Sequence, residues 1–173
     1  GDGTFQPPLS FPAQRLPNSI TVGEFDGDGY QDLVVANFGT TGPEAHMVSL
    51  YFGNGDGTFQ AALDIGPVAR AFSVAVGDFN GDGAQDLAVS LDSNSVSIVL
   101  GYGDGSFRSE QHFAAGPRPP AVAVGDVNGD GIQDLAVTNW VSEPLTINGS
   151  VSILLGNGDG TFQPPLSFAA RRF

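Results

Sequence analysis

Three stretches of the chain repeat one pattern: a short apolar run, a nine-residue loop dense in acid and glycine, and a second short apolar run. The leading runs are Ile20-Thr21-Val22, Val74-Ala75-Val76 and Val122-Ala123-Val124; the trailing runs are Leu33-Val34-Val35, Leu87-Ala88-Val89 and Leu135-Ala136-Val137. Short β-branched runs bounded by glycine and aspartate read as strands, not helices. A third run alternates apolar and polar positions, as in Val96-Ser97-Ile98 and Val151-Ser152-Ile153. Behind it lies Gly-Asn-Gly-Asp-Gly or Gly-Tyr-Gly-Asp-Gly, whose Asp-Gly pair suits a tight hairpin. The pattern therefore predicts first strands over 20–24, 74–78 and 122–126. Second strands follow over 32–37, 86–91 and 134–139. Third strands are expected over Met47–Phe52, Val96–Leu100 and Val151–Leu155, and fourth strands starting at Phe59, Phe107 and Phe162. Gly-Pro-Val-Ala-Arg (66–70) and Gly-Pro-Arg-Pro-Pro (116–120) break the chain between units.

The segment Gly-Asp-Gly-Thr/Ser-Phe starts at Gly1, Gly55, Gly103 and Gly158, at intervals of 54, 48 and 55 residues. That period is too long for one hairpin and suits a four-stranded unit of about 50 residues. The expected fold class is all-β, a propeller of three four-stranded antiparallel blades per chain; a solenoid of sheets is the alternative. The blades are placed at 12–65, 66–113 and 114–173. Residues 1–11 and 158–168 are identical, so 1–11 is expected to be an extra fourth strand belonging to a preceding blade.

The loops carry the candidate chemistry. They are Glu24-Phe25-Asp26-Gly27-Asp28-Gly29-Tyr30-Gln31-Asp32, Asp78-Phe79-Asn80-Gly81-Asp82-Gly83-Ala84-Gln85-Asp86 and Asp126-Val127-Asn128-Gly129-Asp130-Gly131-Ile132-Gln133-Asp134. Side-chain oxygens fall at positions 1, 3, 5 and 9. Carboxylates this dense repel one another unless a cation lies among them, and hard oxygens at alternate positions suit calcium. Position 7 (Tyr30, Ala84, Ile132) would add a backbone carbonyl, and the glycine at position 6 permits the sharp turn. An EF-hand is excluded: its closing acid lies at position 12, between helices. The expectation is three calcium ions per chain, one in each loop. A plain Asp/Gly turn without metal is the rival reading, weakened by the threefold recurrence.

The run Ser73-Val74-Ala75-Val76-Gly77-Asp78-Phe79-Asn80-Gly81-Asp82-Gly83-Ala84-Gln85-Asp86-Leu87-Ala88-Val89 resembles the FG-GAP/VCBS repeat, which builds blades of the integrin α-subunit propeller. The resemblance covers residues 1–168. It implies that the loop joins the first and second strands of a blade and binds calcium. The implied ligands are Glu24, Asp26, Asp28 and Asp32; Asp78, Asn80, Asp82 and Asp86; and Asp126, Asn128, Asp130 and Asp134. Glu24 departs from the family's usual Asp, and the Gly-Ala-Pro that closes the second strand in integrins is missing.

Composition narrows the function. The chain has 173 residues, enough for one sizeable core, and its 25 glycines and 12 prolines favour turn-rich β structure. Ten of its 19 acidic residues lie in the three loops, so much of the net charge of −13 is ligand charge, and three divalent ions would offset six of it. With no lysine and scattered arginines, apart from Arg171-Arg172, nucleic acid is not an expected partner. No apolar stretch is long enough to span a membrane. No signal peptide is visible, which fits a mature or excised chain. The absence of cysteine means that disulfides neither brace the fold nor report a compartment.

No catalytic constellation is visible. His46 and His112 occupy unrelated repeat positions, so the chain reads as a non-enzyme. Asp56, Asp104 and Asp159 read as turn residues. The connection between second and third strands is short at Asp92–Ser95 and longer over 39–46 and 141–150, which points to one binding face. Trp140 either stacks on a ligand there or packs between blades. Phe38, Leu91 and Trp140, read as equivalents, differ and argue against a pocket repeated in each blade. Arg15, Arg70 and Arg118 precede the first strands and either line that face or pair with carboxylates. Asn148-Gly149-Ser150 is a glycosylation sequon.

The expected function is a calcium-stabilised extracellular or cell-surface recognition or adhesion module, lectin-like in binding protein or glycan. Alternatives are a structural spacer repeat of a surface protein, and a non-catalytic propeller domain of a secreted hydrolase or lyase. A homodimer forming a six-bladed ring is expected, or else the chain is part of a longer propeller.

Overall fold

The computed structural model describes residues 3–5, 7–14, 16–39, 48–65, 70–143 and 146–170, with the backbone alone for 141–143 and 146–148. Arg15, His46, the loop over 40–46, residues 66–69, the Asn148 side chain and Arg171-Arg172 lie outside what is described. Among the described residues there is no helix, and twelve strands make three four-stranded antiparallel sheets. Blade 1 holds β1 (Pro17–Gly23), β2 (Asp32–Asn37), β3 (Val48–Tyr51) and β4 (Leu63–Ile65). Blade 2 holds β5 (Ala71–Gly77), β6 (Asp86–Leu91), β7 (Ser95–Val99) and β8 (Gln111–Ala114). Blade 3 holds β9 (Ala121–Gly125), β10 (Asp134–Glu143), β11 (Thr146–Leu154) and β12 (Leu166–Ala169). Each sheet is ordered first to fourth strand, as in a propeller blade, and the first strands β1, β5 and β9 pack in succession. The ring is not closed: the fold is a partial propeller, and the solenoid alternative falls away.

Strand pairing explains the composition. A middle blade is covered on both faces, so its strands must be apolar on both. All six residues of β6 are buried accordingly. Leu87, Val89 and Val74 face blade 1, in a core with Val34, Val48, Leu50 and Phe25. Ala88, Val96 and Ile98 face blade 3, with Leu135, Val137, Leu154 and Phe79. These two inter-blade layers contain the clustered buried apolar side chains. Phe25 and Phe79, at loop position 2, are each 2% exposed and plug the loop ends of the two layers.

Three expectations need correction. The fourth strands do not begin at Phe59, Phe107 and Phe162. Each of these makes one isolated bridge, to Gly53, Gly101 and Gly156, and the strand starts four residues later. In blade 3 the interruption has a clear cause, because Pro164 and Pro165 have no N–H for a ladder. The expected loop over 141–150 is mostly strand: β10 and β11 continue as a long hairpin, with Val141 opposite Asn148 and Ser142 opposite Ile147. Finally, Leu91 is not the equivalent of Phe38 and Trp140. Counted from the aspartate that opens each second strand, Leu91 falls with Asn37 and Asn139, and Phe38, Asp92 and Trp140 each donate their N–H to a carbonyl just before the first strand, so Asp92 is the equivalent.

Truncating a plug should unfasten two blades at once. We expect Phe79→Ala to cost about 3–5 kcal/mol in chemical denaturation, whereas Tyr102→Ala, on the exposed hairpin, costs under about 1 kcal/mol. Equal losses would mean that the inter-blade layer does not carry the stability.

Candidate metal loops and an arginine–aromatic edge

Each acidic loop joins the first and second strands of its blade, and glycine permits its turns. Gly29, Gly83 and Gly131 at position 6 have φ of 83°, 87° and 84°, a region that side chains avoid. Position 4 is glycine with positive φ as well, so two left-handed residues curl the loop.

The last acid of each loop is the most constrained. Asp32, Asp86 and Asp134 are fully buried. Asp86 Oδ2 accepts the N–H of Phe79 at 2.8 Å and Oδ1 accepts that of Gly101, in the hairpin between third and fourth strands, also at 2.8 Å. Asp32 does the same with Phe25 and Gly53, and Asp134 with Val127 and Gly156. This acid therefore ties two turns of its blade together, a role that spacing along the chain does not reveal. The hairpin glycine that it holds has no room for a side chain, because a Cβ on Gly101 would collide with the Gln85 carbonyl. Burial pushes the Asp86 carboxyl above the ordinary range, opposed by the two N–H donors.

The other acids behave differently from loop to loop. In the third, Asp126 accepts from Gly129, Asp130 and Gly131, and these N–H groups hold its carboxyl below the usual range. Asp78 caps the second loop in the same way. Asn80 and Asn128 donate to Asp82 and Asp130 at 2.8 Å. In the first loop, Glu24, Asp26 and Asp28 bring a carboxylate oxygen each to within 4.8 Å of one another. Among the described residues this is the group of three acids close enough to share an ion. Burial lifts the Asp26 carboxyl, and repulsion from Asp28, Asp32 and Glu24 adds to it. Tyr30, Ala84 and Ile132, at position 7, each direct their N–H to the acid at position 5.

Asp56, Asp104 and Asp159 are turn residues, as expected. Each accepts from the N–H and hydroxyl of the Thr or Ser two residues on, and the hydroxyl hydrogen bond, with the backbone one, lowers its carboxyl.

At the opposite end of the blades, arginines meet aromatics. The Arg70 guanidinium lies 5.5 Å from the centre of the Phe38 ring, which stacks on Phe72 at 4.8 Å. Arg118 lies 5.5 Å from the Trp140 ring, and Trp140 is 47% exposed, so it does not pack between blades. Asp92 pairs with Arg70 at 3.0 Å and lies 3.8 Å from Arg118, which links the two arginines.

The buried clasp predicts a metal-independent effect. Asp86→Ala strands two buried N–H groups, at about 1–3 kcal/mol each, so it should destabilise by a few kcal/mol even in chelator. Asp56→Ala should cost under about 1 kcal/mol. Denaturant titrations in chelator check this; a loss at Asp86 that needs calcium would show that the clasp contributes nothing.

Two comparisons bear on kinship. The chain is 38% identical over 100 residues to the phosphatidylinositol-glycan-specific phospholipase D of Bos taurus, a match that covers 49% of this chain and 12% of that protein. No helix among the described residues is long and apolar enough to cross a membrane. The model of the FG-GAP-like repeat matches twice in tandem, over residues 25–89 and 82–137, which together cover the first acidic loop from position 2 onward and the whole of the second and third. With the blade order, the threefold loop and this match in agreement, the chain belongs to the FG-GAP-like repeat family.

Proposed function

We propose that this chain is a calcium-stabilised recognition module, working outside the cell, that binds a protein or glycan and carries out no catalysis. The observation that carries the calcium reading is the convergence of Glu24, Asp26 and Asp28. Three hard oxygen donors with a raised carboxyl at their centre favour a positive charge in place of a proton. The equivalent residues of the second and third loops, Asp78, Asn80, Asp82, Asp86 and Asp126, Asn128, Asp130, Asp134, also supply hard oxygens, with a neutral amide of Asn80 or Asn128 in place of the Asp26 carboxylate. There the first-position acid accepts three loop N–H groups where Glu24 accepts one, so the ion meets more competition than in the first loop, which is the tightest of three sites.

Recognition is assigned to the arginine–aromatic edge. Exposed tryptophan under a guanidinium offers both a stacking face and fixed donors, which suits a sugar ring or an aromatic anchor of a protein. A second reading has its own support: the likeness to a phospholipase fits a non-catalytic propeller portion of a larger hydrolase.

Modules of this kind bind calcium with Kd of roughly 10⁻⁴ to 10⁻³ M. One such site adds about 1.4–2.7 kcal/mol at about 10 mM calcium, since the ion binds the native state. Differential scanning calorimetry should show the melting temperature rising with calcium, and Glu24→Gln with Asp28→Asn should remove the largest part of the rise. An unchanged melting curve removes the metal from the function. On a glycan or protein array in calcium, Trp140→Ala should lose the ligand at unchanged melting temperature. If Trp140→Ala binds as the unaltered chain does, recognition lies elsewhere.

A further inference from the structure

The contacts between blades repeat, and their repetition shows what the two ends of the arc lack. Gly105 N–H donates to the Phe25 carbonyl at 2.8 Å, and Gly160 N–H to the Phe79 carbonyl at 2.9 Å. Each bond joins the hairpin of one blade to the acidic loop of the blade before it. A glutamine makes the second link. Gln85 Oε1 accepts the Glu24 N–H at 2.8 Å, and it lies where a Cβ on Gly23 would be. Gln133 Oε1 lies in the same way against Gly77.

Both links stop at the ends. On blade 1, Gly57 is the counterpart of Gly105 and Gly160, and Gln31 of Gln85 and Gln133. Among the described residues nothing lies within 4 Å of a Cβ on Gly57, and Gln31 is exposed. On blade 3, Gly125 is the counterpart of Gly23 and Gly77, and a Cβ there also meets nothing within 4 Å. The apolar faces follow suit. Val127 is 54% exposed where Phe25 and Phe79 are 2% exposed, and Ile20 is 61% exposed where Val74 is 5% exposed. Blade 1 thus carries the donor and the glutamine, while blade 3 carries the open carbonyl and the open glycine. The two ends are complementary halves of a contact whose hairpin bond the chain already makes twice and whose glutamine bond it makes once, Gln133 Oε1 being packed on Gly77 without a hydrogen-bond partner.

We infer that these faces bind one another between copies: blade 1 of one chain docks on blade 3 of a second, and two chains close a six-bladed ring. Such a ring lies within the four to eight blades that hide all sheet faces. The N-terminal segment marks the docking place. Phe11 packs edge-on against Phe59 at 5.5 Å, as Phe113 of blade 2 packs against Phe162 of blade 3 at 5.4 Å. Phe11 therefore stands where a preceding blade's fourth strand belongs. Residues 158–168 of the docking copy have the same sequence as 1–11, so Phe168 of the second copy takes the position of Phe11 and the segment gives way.

The test uses two exposed positions, one on each face. In light scattering with calcium, the unaltered chain is expected at twice the mass of one chain. Val127→Glu and Ile20→Glu alter side chains that are free in the single chain. Each variant should keep its far-UV circular dichroism and run as a monomer, because every interface it could form includes an altered face. Mixed one to one, they should recover the doubled mass, since the unaltered blade 3 of one meets the unaltered blade 1 of the other. A monomeric unaltered chain overturns the inference, as does a dimer that survives both substitutions. Failure of the mixture to associate would also overturn it, because a self-complementary patch, unlike a head-to-tail one, predicts that failure.

Discussion

A buried carboxylate at the ninth loop position is the constraint on which each blade depends. Asp32, Asp86 and Asp134 each hold the second loop residue and a glycine of the far hairpin through their two oxygens. Burying a charge is unfavourable unless donors compensate it, and here both oxygens are engaged by backbone N–H groups. The tie places the second loop residue over the layer between blades and sets the hairpin beside the loop. Loop geometry, blade edge and inter-blade plug are thus coupled through one side chain per repeat.

That coupling puts the acidic loops and the inter-blade packing at the same end of the molecule. Phe25 lies at position 2 of the first loop, between two acids of the converging group, and is tilted against Phe107 of blade 2 at 5.9 Å. An ion in the loop would therefore order the residue that seals two blades, which is how a metal can stabilise a fold without touching its core. The first loop, with Glu24 in place of aspartate, brings its acids together, while in the second and third loops the first-position acid turns to the loop's own N–H groups. The longer side chain caps the loop through Gly27 N–H alone among the described contacts, which leaves its acids facing one another.

The other end of the blades is built from less regular parts. Positive φ at Leu16, Arg70 and Arg118 recurs at one place in each repeat, just before the first strand. Arg70 and Arg118, at these positions, meet an aromatic of a second-strand segment: Phe38, just past β2 of the preceding blade, and Trp140, within β10 of the same blade. Asp92, at the matching place in blade 2, draws both guanidinium groups instead. Repetition of the backbone with variation of one side chain is how a regular scaffold carries an irregular surface.

The fold was legible in the sequence because its signals are local. Alternating β-branched residues, Asp-Gly turns and the spacing of 48 to 55 residues are properties of neighbours along the chain, and they place the second strands 32–37 and 86–91 where the structure has them. The candidate acids were legible for the same reason, because nine consecutive residues hold them. What a chain-wise reading misses is decided by contacts across 15 residues or more. The clasp from Asp86 to Gly101 and the link from Gln85 to Glu24 are of this kind. So is the register that puts Asp92, not Leu91, beside the arginines, whereas the extension of β10 and β11 through a segment expected to be loop rests on closer pairs, such as Val141 with Asn148, that no alternating pattern announces. Hydrogen-bond partners and strand register depend on which blade lies against which. That arrangement is set by burial of apolar faces between sheets, a property of the folded arc and not of any single repeat.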